Sequence, residues 1–517
     1  MMKKFLSLVL AAMMLLACIP AAVAEDEPVT ITWINFLDLA SPDSWSTTHV
    51  PELLKQYGFN VKFEVIPMGS HTGTEWDNNF NTYIASGGAP ADIVQMNALN
   101  TNAVDAGWFV ELTEDMIKEN MPQYYEAALS TYEYMPAYFR DLRDGKVYCL
   151  CSWNMFGPRR HTMVYRKDWL DQLGMEVPKT IEEFEAFLRA CRTTDFNGDG
   201  ELNEYGYTSG TNSPFCGFQE VFGAYGVEPL IWMNDNGKIV RGEVREGAKL
   251  ALETLARWYA EDLIPKGVNT TETRRDGFNQ GIRGSYGQGD GYAPALVQGG
   301  QNYEEFYAAQ PDGEMIVAPT FYGPNGDHGT IEWGAKKYQI AFGAHLADDP
   351  EKLTMILQML ECIATHDDTF TAAMLGEKGT HWDFVEEGAT SGATTFLGEF
   401  TEYNYRLDTV GVREMSESAF CPIWVPSVYT KYLDPKAVEY ASYESGYFDV
   451  IGNGITFEEQ IEYTTDLDNL TKEVFMDIIT GAKDISAYDD YVKEWYDNGG
   501  TIMTDAAQAI FELNFAN

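Results

Sequence analysis

The sequence predicts an α/β protein of two lobes, each a parallel-rich sheet flanked by helices, with the chain crossing between lobes more than once. Three observations carry that expectation. The chain has 517 residues, 45% of them hydrophobic and 14% aromatic, enough to bury a sizeable core. Strand and helix patterns alternate through the first hundred residues, and the same alternation resumes beyond residue 145. Lys and Arg number 35 against 79 Asp and Glu, a formal charge of −44. Charge of that sign repels phosphate backbones and anionic surfaces, so nucleic-acid binding is excluded.

The first element is a leader. Lys3 and Lys4 precede an apolar run from Phe5 to Leu16, and Ala22-Val23-Ala24 supplies the small residues that signal peptidase needs before Glu25-Asp26-Glu27. Residues 1–24 therefore read as an export signal, and the mature protein as extracytoplasmic. A rival reading ends the signal at Leu15-Leu16-Ala17-Cys18, with a lipid on Cys18, although Ile19-Pro20 is an unusual start for a lipoprotein. Six cysteines follow: Cys149, Cys151, Cys191, Cys216, Cys362 and Cys421. They are too scattered for a disulfide framework, and Cys149 and Cys151 read as two small buried hydrophobes rather than a metal pair.

Val29-Thr30-Ile31-Thr32-Trp33 alternates apolar and polar residues, the period of a strand. A short helix is expected next, with Pro51 in its first turn and Gly58 past its end. Val61, Phe63 and Val65 alternate again, 75–86 reads as a helix stopped by Gly87-Gly88, and Ala91 to Val94 reads as a third strand. Beyond the midpoint of this pattern, Lys146 to Leu150 and Thr162 to Tyr165 read as strands. Thr180 caps a helix and Glu183 completes a capping box, with Ile181, Phe184, Leu188 and Cys191 on one face. Helices are also expected at 246–260 and at 351–365, the latter opened by Asp349-Pro350 and carrying Leu353, Ile356, Leu357 and Leu360 on one face.

The strongest motif lies between these elements. Asp195, Asn197, Asp199 and Asn203 occupy positions 1, 3, 5 and 9 of a loop whose sixth position is Gly200, the oxygen spacing of an EF-hand. Position 12 is Gly206, so the closing carboxylate would come from Glu204, with Glu201 also in the loop. The bland reading is a solvated polar turn. The matched positions favour calcium, in a loop that is stapled rather than a sensor.

Several stretches together resemble the extracellular solute-binding proteins of carbohydrate ABC importers, the group that includes maltodextrin- and alginate-binding proteins. They are Gly145-Lys146-Val147-Tyr148, Val164-Tyr165-Arg166-Lys167-Asp168-Trp169-Leu170, Leu173-Gly174, and Val177-Pro178-Lys179-Thr180-Ile181-Glu182-Glu183-Phe184. Leu375 to Trp382 is similar to a later block, Trp33-Ile34-Asn35 with Asp38 to the first strand and its loop, and the 195–204 loop sits where alginate-type members carry calcium. The match runs from about residue 29 to 385, with little to anchor it beyond Trp424.

The resemblance implies a two-lobed clamshell that closes on a ligand in the cleft. One lobe is placed at 25–150 and 280–340, the other at 151–279 and 341–517. Ligands of open parallel sheets lie beyond the carboxyl ends of the strands. That selects Asn35, Asp38, Asn97, Trp153 and Asn154, then Asp290 and Tyr292 at the return crossing, and Trp333 and Trp382 from later segments. Trp and Tyr would stack on sugar C–H faces while Asp and Asn bind hydroxyls; the alternative for each tryptophan is a place in the core. Arg159, in Arg159-Arg160-His161, would neutralise a uronate, or else sits in a solvated loop. The partners implied are a carbohydrate, a membrane permease and a separate ATPase, with the binding protein itself a monomer. A secreted glycosidase needs two carboxylates about 5–10 Å apart, which sequence cannot locate among so many acids. There is no H-E-x-x-H, G-x-S-x-G or Walker A motif. A binder of peptides or another small solute on the same scaffold also stays open.

Overall fold

A computed structural model describes residues 27–515 apart from 71, 132–134, 157–161, 208–217, 268–273, 288–292, 333–335, 415–416, 444–445 and 452–456. Two main sheets are built from β1 (Val29–Ile34), β2 (Val61–Val65), β3 (Ile93–Met96), β4 (Cys149–Trp153), β5 (Met163–Arg166), β6 (Ser285–Tyr286), β7 (Met315–Ala318) and β8 (Lys336–Phe342). The first has the order β2-β1-β3-β8-β4. β1 is parallel to β2 and β3, while β8 runs antiparallel between β3 and β4. β1, β3 and β4 therefore point the same way and end at one edge. The second sheet, β6-β5-β7, is antiparallel throughout.

The alternation expected of β2 is realised: Val61, Phe63 and Val65 are buried, while Lys62 and Glu64 are exposed. β3, at the sheet's centre, is buried along its whole length, as a strand covered on both faces must be. The helix before β2 departs from expectation. It spans Trp45–Leu54, with Pro51 well inside it, and ends through a short turn at Gly58, whose φ is +90°. Ser44 precedes the first turn, its hydroxyl 2.8 Å from that of Thr47, so the polar start lies upstream of the proline. Half of the expected capping box forms: Glu183 N–H donates to Thr180 Oγ1 at 3.3 Å, while the Glu183 carboxylate accepts at 2.7 Å from Lys179 N–H, one residue before the cap. Asp349 caps the helix at Pro350–Thr365 by accepting from Lys352 N–H at 3.0 Å.

Two large apolar cores divide the chain, and they do so differently from the expected boundaries. The first gathers β1 to β4, β8, the helices Pro350–Thr365 and Asp367–Met374, and buried residues as far as Leu433. The second gathers the helices Ile181–Cys191, Glu246–Ala260, Glu458–Thr480, Ala487–Trp495 and Thr501–Asn514 against Met163 and Tyr165 of β5. Val164, on the opposite face of β5, packs in a satellite core with Tyr286, Val317, Phe278, Leu296 and Phe306. Residues 344–433 thus pack with the first core rather than the second, and β6 and β7 pair with β5 rather than with the first sheet. Amphipathic periodicity marks the buried face of a helix but not which core receives it. For Pro350–Thr365 a long-range contact marks the choice, the ion pair of Lys352 with Asp92 at the start of β3.

Among the described residues the chain crosses between the cores three times: after β4, between β7 and β8, and beyond Leu433. At the last two crossings Thr330–Glu332 pairs in parallel with Gly446–Phe448. The C-terminal helix reaches back to the first core, where Asn514 Nδ2 donates to the Leu142 carbonyl at 2.9 Å.

Candidate functional site

The shared edge of β1, β3 and β4 brings three of the expected residues together in the fold. Asn35 follows β1 and is fully buried. Its carbonyl accepts from Trp76 Nε1 at 2.7 Å, yet neither end of its side-chain amide has a partner among the described residues. Asn97 follows β3 and is exposed. Its loop is held by Gln339 of β8, whose Oε1 accepts from Leu99 N–H at 2.6 Å and whose Nε2 donates to the Tyr138 carbonyl at 2.7 Å. Asn154 follows β4, half-buried, and its Oδ1 accepts from Phe156 N–H at 2.9 Å. Asp38 does a different job. Leu37 and Asp38 take left-handed φ values of 56° and 49°, a turn costing about 1–3 kcal/mol per residue. The Asp38 carboxylate then accepts from Met68 and Ser70 N–H, both at 2.8 Å, and ties down the loop after β2.

Two of the three tryptophans expected to stack on ligand, Trp153 and Trp382, are core residues instead. Trp153 is 0% exposed and stacks on Tyr124, ring centroids 5.7 Å apart and 19° from parallel. β4 extends through Trp153 because Cys149-Leu150-Cys151-Ser152-Trp153 is buried on both faces, so this residue is no part of a polar loop. Trp382 is 2% exposed, donates through Nε1 to the Gly376 carbonyl at 3.1 Å, and meets Phe384 and Tyr432 edge-on. It belongs to a strand, Trp382–Phe384, paired with Thr394–Phe396. Arg159, Asp290, Tyr292 and Trp333 lie outside the described residues. Cys149 and Cys151 are buried free thiols, both donating to the Tyr138 carbonyl.

The acidic loop folds around its own carboxylates. Asp195 accepts from Gly198 and Gly200 N–H at 2.6 and 2.9 Å. Asp199 accepts from Glu201 N–H and from the amides of Asn197 and Asn203, and the Glu201 N–H bond is the largest contribution holding its carboxyl below the usual range. Gly198 and Gly200 have φ of +73° and +86°, the left-handed turns the spacing requires. Glu204 lies underneath, fully buried. Its Oε1 accepts from Phe196 and Asn197 N–H at 3.0 and 3.2 Å, and its Oε2 is unpartnered. A buried carboxylate oxygen without a donor is costly, and a hard cation is the partner this oxygen-rich set fits. Among the described residues no group of three or more His, Cys, Asp or Glu is gathered as a metal cluster; the loop's further oxygens come from Asn side chains and backbone.

Sequence reasoning missed Lys336. It opens β8 opposite Trp153, half-buried, with Nζ 6.0 Å from the centroid of the Tyr138 ring. Burial pushes its ammonium below the usual lysine range. Only the antiparallel return of β8 brings it to this edge, and no local pattern announces that return. Glu228 was missed too: burial, then the neighbouring Glu220, pushes its carboxyl well above the usual range.

A family model for bacterial extracellular solute-binding proteins matches residues 40–341. The chain is 27% identical over 350 residues to lipoprotein LipO of Bacillus subtilis, covering 63% of each chain. It is 22% identical over 246 residues to the polygalacturonan/rhamnogalacturonan-binding protein YtcQ of the same organism, covering 47% of each. The chain thus spans less than two thirds of the length of these curated relatives. Among solved structures, an HMO-binding, ABC-transporter-associated solute-binding protein of Bifidobacterium longum infantis shares the fold. The TM-score is 0.63 at 15% identity, over 95% of this chain and 99% of that one.

Proposed function

This chain belongs to the bacterial extracellular solute-binding proteins, and we propose that it binds a sugar or oligosaccharide between its two packed units and delivers it to an ABC importer. The observation that carries this reading is the convergence of Asn35, Asn97 and Asn154 at one sheet edge beside a crossing between the cores. An amide offers both a donor and an acceptor, the pair a sugar hydroxyl matches. The unpartnered amide of Asn35 costs about 1–3 kcal/mol while buried alone, a cost that a ligand hydroxyl offsets. The name of YtcQ points to galacturonate-containing ligands, and Lys336 is the cation at this edge that a uronate would meet. On sequence grounds, Arg159, Asp290, Tyr292 and Trp333 contribute from the crossings.

In this reading the protein acts as a monomeric carrier that returns its sugar uncut. It is exported by residues 1–24 and works with a permease and an ATPase on separate chains. The loop of Asp195, Asn197, Asp199, Glu201, Asn203 and Glu204 holds calcium as a structural ion, with Glu204 Oε2 as its buried anchor.

The test is thermal unfolding of residues 25–517 against neutral and uronic oligosaccharides, followed by chromatography of the recovered sugar. A ligand at one hundred times its dissociation constant adds about 2.7 kcal/mol, which raises the melting temperature measurably. A shift from one sugar class, with that sugar intact, is expected. Recovery of shortened sugar would assign a hydrolase, and a shift from peptides alone would discard the carbohydrate.

A further inference from the structure

A groove of 260 Å³ opens beside Phe156, two residues beyond Asn154, whose amide oxygen holds the Phe156 N–H. Its walls come from both sides of the crossing. Gln298 lies just past Leu296, which packs in the satellite core of the second sheet. Val385, Thr394 and Thr395 belong to the hairpin that carries Trp382 and Phe384 into the first core. Asp434 stands at the rim, and its carboxylate is committed to Lys436 and Ala437 N–H at 2.7 and 3.2 Å.

Size and lining narrow what this groove can take. Self-contained small-molecule sites hold about 300–1,000 Å³, so the space suits part of a larger ligand rather than a whole one. Phe156 and Val385, the latter 65% exposed, offer apolar surface. Gln298 makes no hydrogen bond to another described residue, and Thr394 and Thr395 add hydroxyls. An apolar surface bordered by uncharged hydrogen-bonding groups matches the C–H face and hydroxyls of a sugar ring. Among the described lining residues the one charged side chain is Asp434, already held by two backbone N–H groups.

We propose that this groove is an outer subsite for the far residues of an extended oligosaccharide whose leading residues lie at the Asn35–Asn97–Asn154 edge. The proposal rests on the carbohydrate reading above and deepens it: the ligand is a chain of several sugars. Because the groove is walled from both sides of the crossing, closure of the two units grips the chain here as well as at the sheet edge.

The experiment is calorimetric titration of the intact exported chain with oligogalacturonates and maltooligosaccharides of two to six residues. The wild type is compared with Thr395→Trp, which fills the groove from an exposed position, and with Gln298→Ala. In the series that binds, wild-type affinity is expected to rise with length. Thr395→Trp is expected to lower affinity for the longest member about tenfold, equal to 1.4 kcal/mol, and leave the shortest binder unchanged; Gln298→Ala gives a smaller loss confined to the long members. Affinity independent of length, or a loss equal at every length, overturns the subsite and leaves the carbohydrate reading standing. If neither series titrates, the carbohydrate reading falls and the subsite with it.

Discussion

Asp92 is a buried charge whose removal has a calculable cost. It is 1% exposed at the start of β3, and four groups donate to it. Thr32 N–H and Thr32 Oγ1 reach Oδ2 at 2.7 and 2.9 Å. Lys352 Nζ and His345 Nε2 reach Oδ1 at 2.7 and 2.9 Å. These contacts tie β1, β3, the turn after β8 and the Pro350–Thr365 helix into one unit. Burial alone would raise the carboxyl's pKa, but Lys352, Thr32 and His345 outweigh it and hold Asp92 below the usual range. Asp92→Asn keeps the shape and one acceptor, but it turns an NH₂ toward a donor and removes the charge. Breaking a buried pair costs about 3–5 kcal/mol. Lys352 and His345 keep 22% and 43% side-chain exposure and can regain water, which places the expected loss at the low end, about 3 kcal/mol.

The pH dependence follows from the direction of the shift. A carboxyl whose folded pKa is depressed contributes fully above its unfolded pKa, about 3.9, and that contribution is lost as pH falls through the folded value. The gap between wild type and Asp92→Asn should therefore be constant from pH 7 to about pH 5 and narrow below pH 4. Urea unfolding at several pH values measures it. A gap under 1 kcal/mol at pH 7, or one unchanged at pH 3, would refute the reasoning.

Two further outcomes follow from the placement of the tryptophans and the loop. Trp382→Ala should cost about 3–5 kcal/mol of stability, the range for deleting a buried aromatic. Sugar affinity of the folded fraction should stay unchanged; lost affinity with intact stability would return Trp382 to the cleft. Removing calcium with EDTA should lower the melting temperature of the wild type but not that of Asp199→Asn, as followed by scanning calorimetry. An EDTA-insensitive wild type would leave the 195–204 loop a polar turn.

Much of the local structure is legible in the sequence because local rules govern it. The alternation of Val61, Phe63 and Val65, the Thr180 cap on Glu183 N–H and the glycines of the acidic loop each depend on neighbours a few residues away. The division of the cores is different. Residues 344–433 look the same in sequence whichever core they join, and the Lys352–Asp92 pair that records their choice spans the chain. The site shows the same contrast. Asn35, Asn97 and Asn154 share an edge because each follows a strand of one direction in the same sheet, which the alternation pattern makes legible. Trp153 and Trp382 are misplaced because an aromatic beside polar residues looks exposed until its strand partners are known.

The position of β8 has a consequence for the order in which the chain can fold. It is the fourth strand of its sheet in space but the last of the five in sequence, and the second core's strands β5, β6 and β7 come before it. A chain emerging N-terminus first presents β2-β1-β3 with a bare edge, and β4 with no neighbour, until residues 336–342 arrive. Unpaired edges of that kind attract other strands, and contacts so distant in sequence form slowly. The first unit therefore waits until all three strands of the second sheet have emerged, and its own sheet stays open to a chaperone, or to aggregation, through most of synthesis.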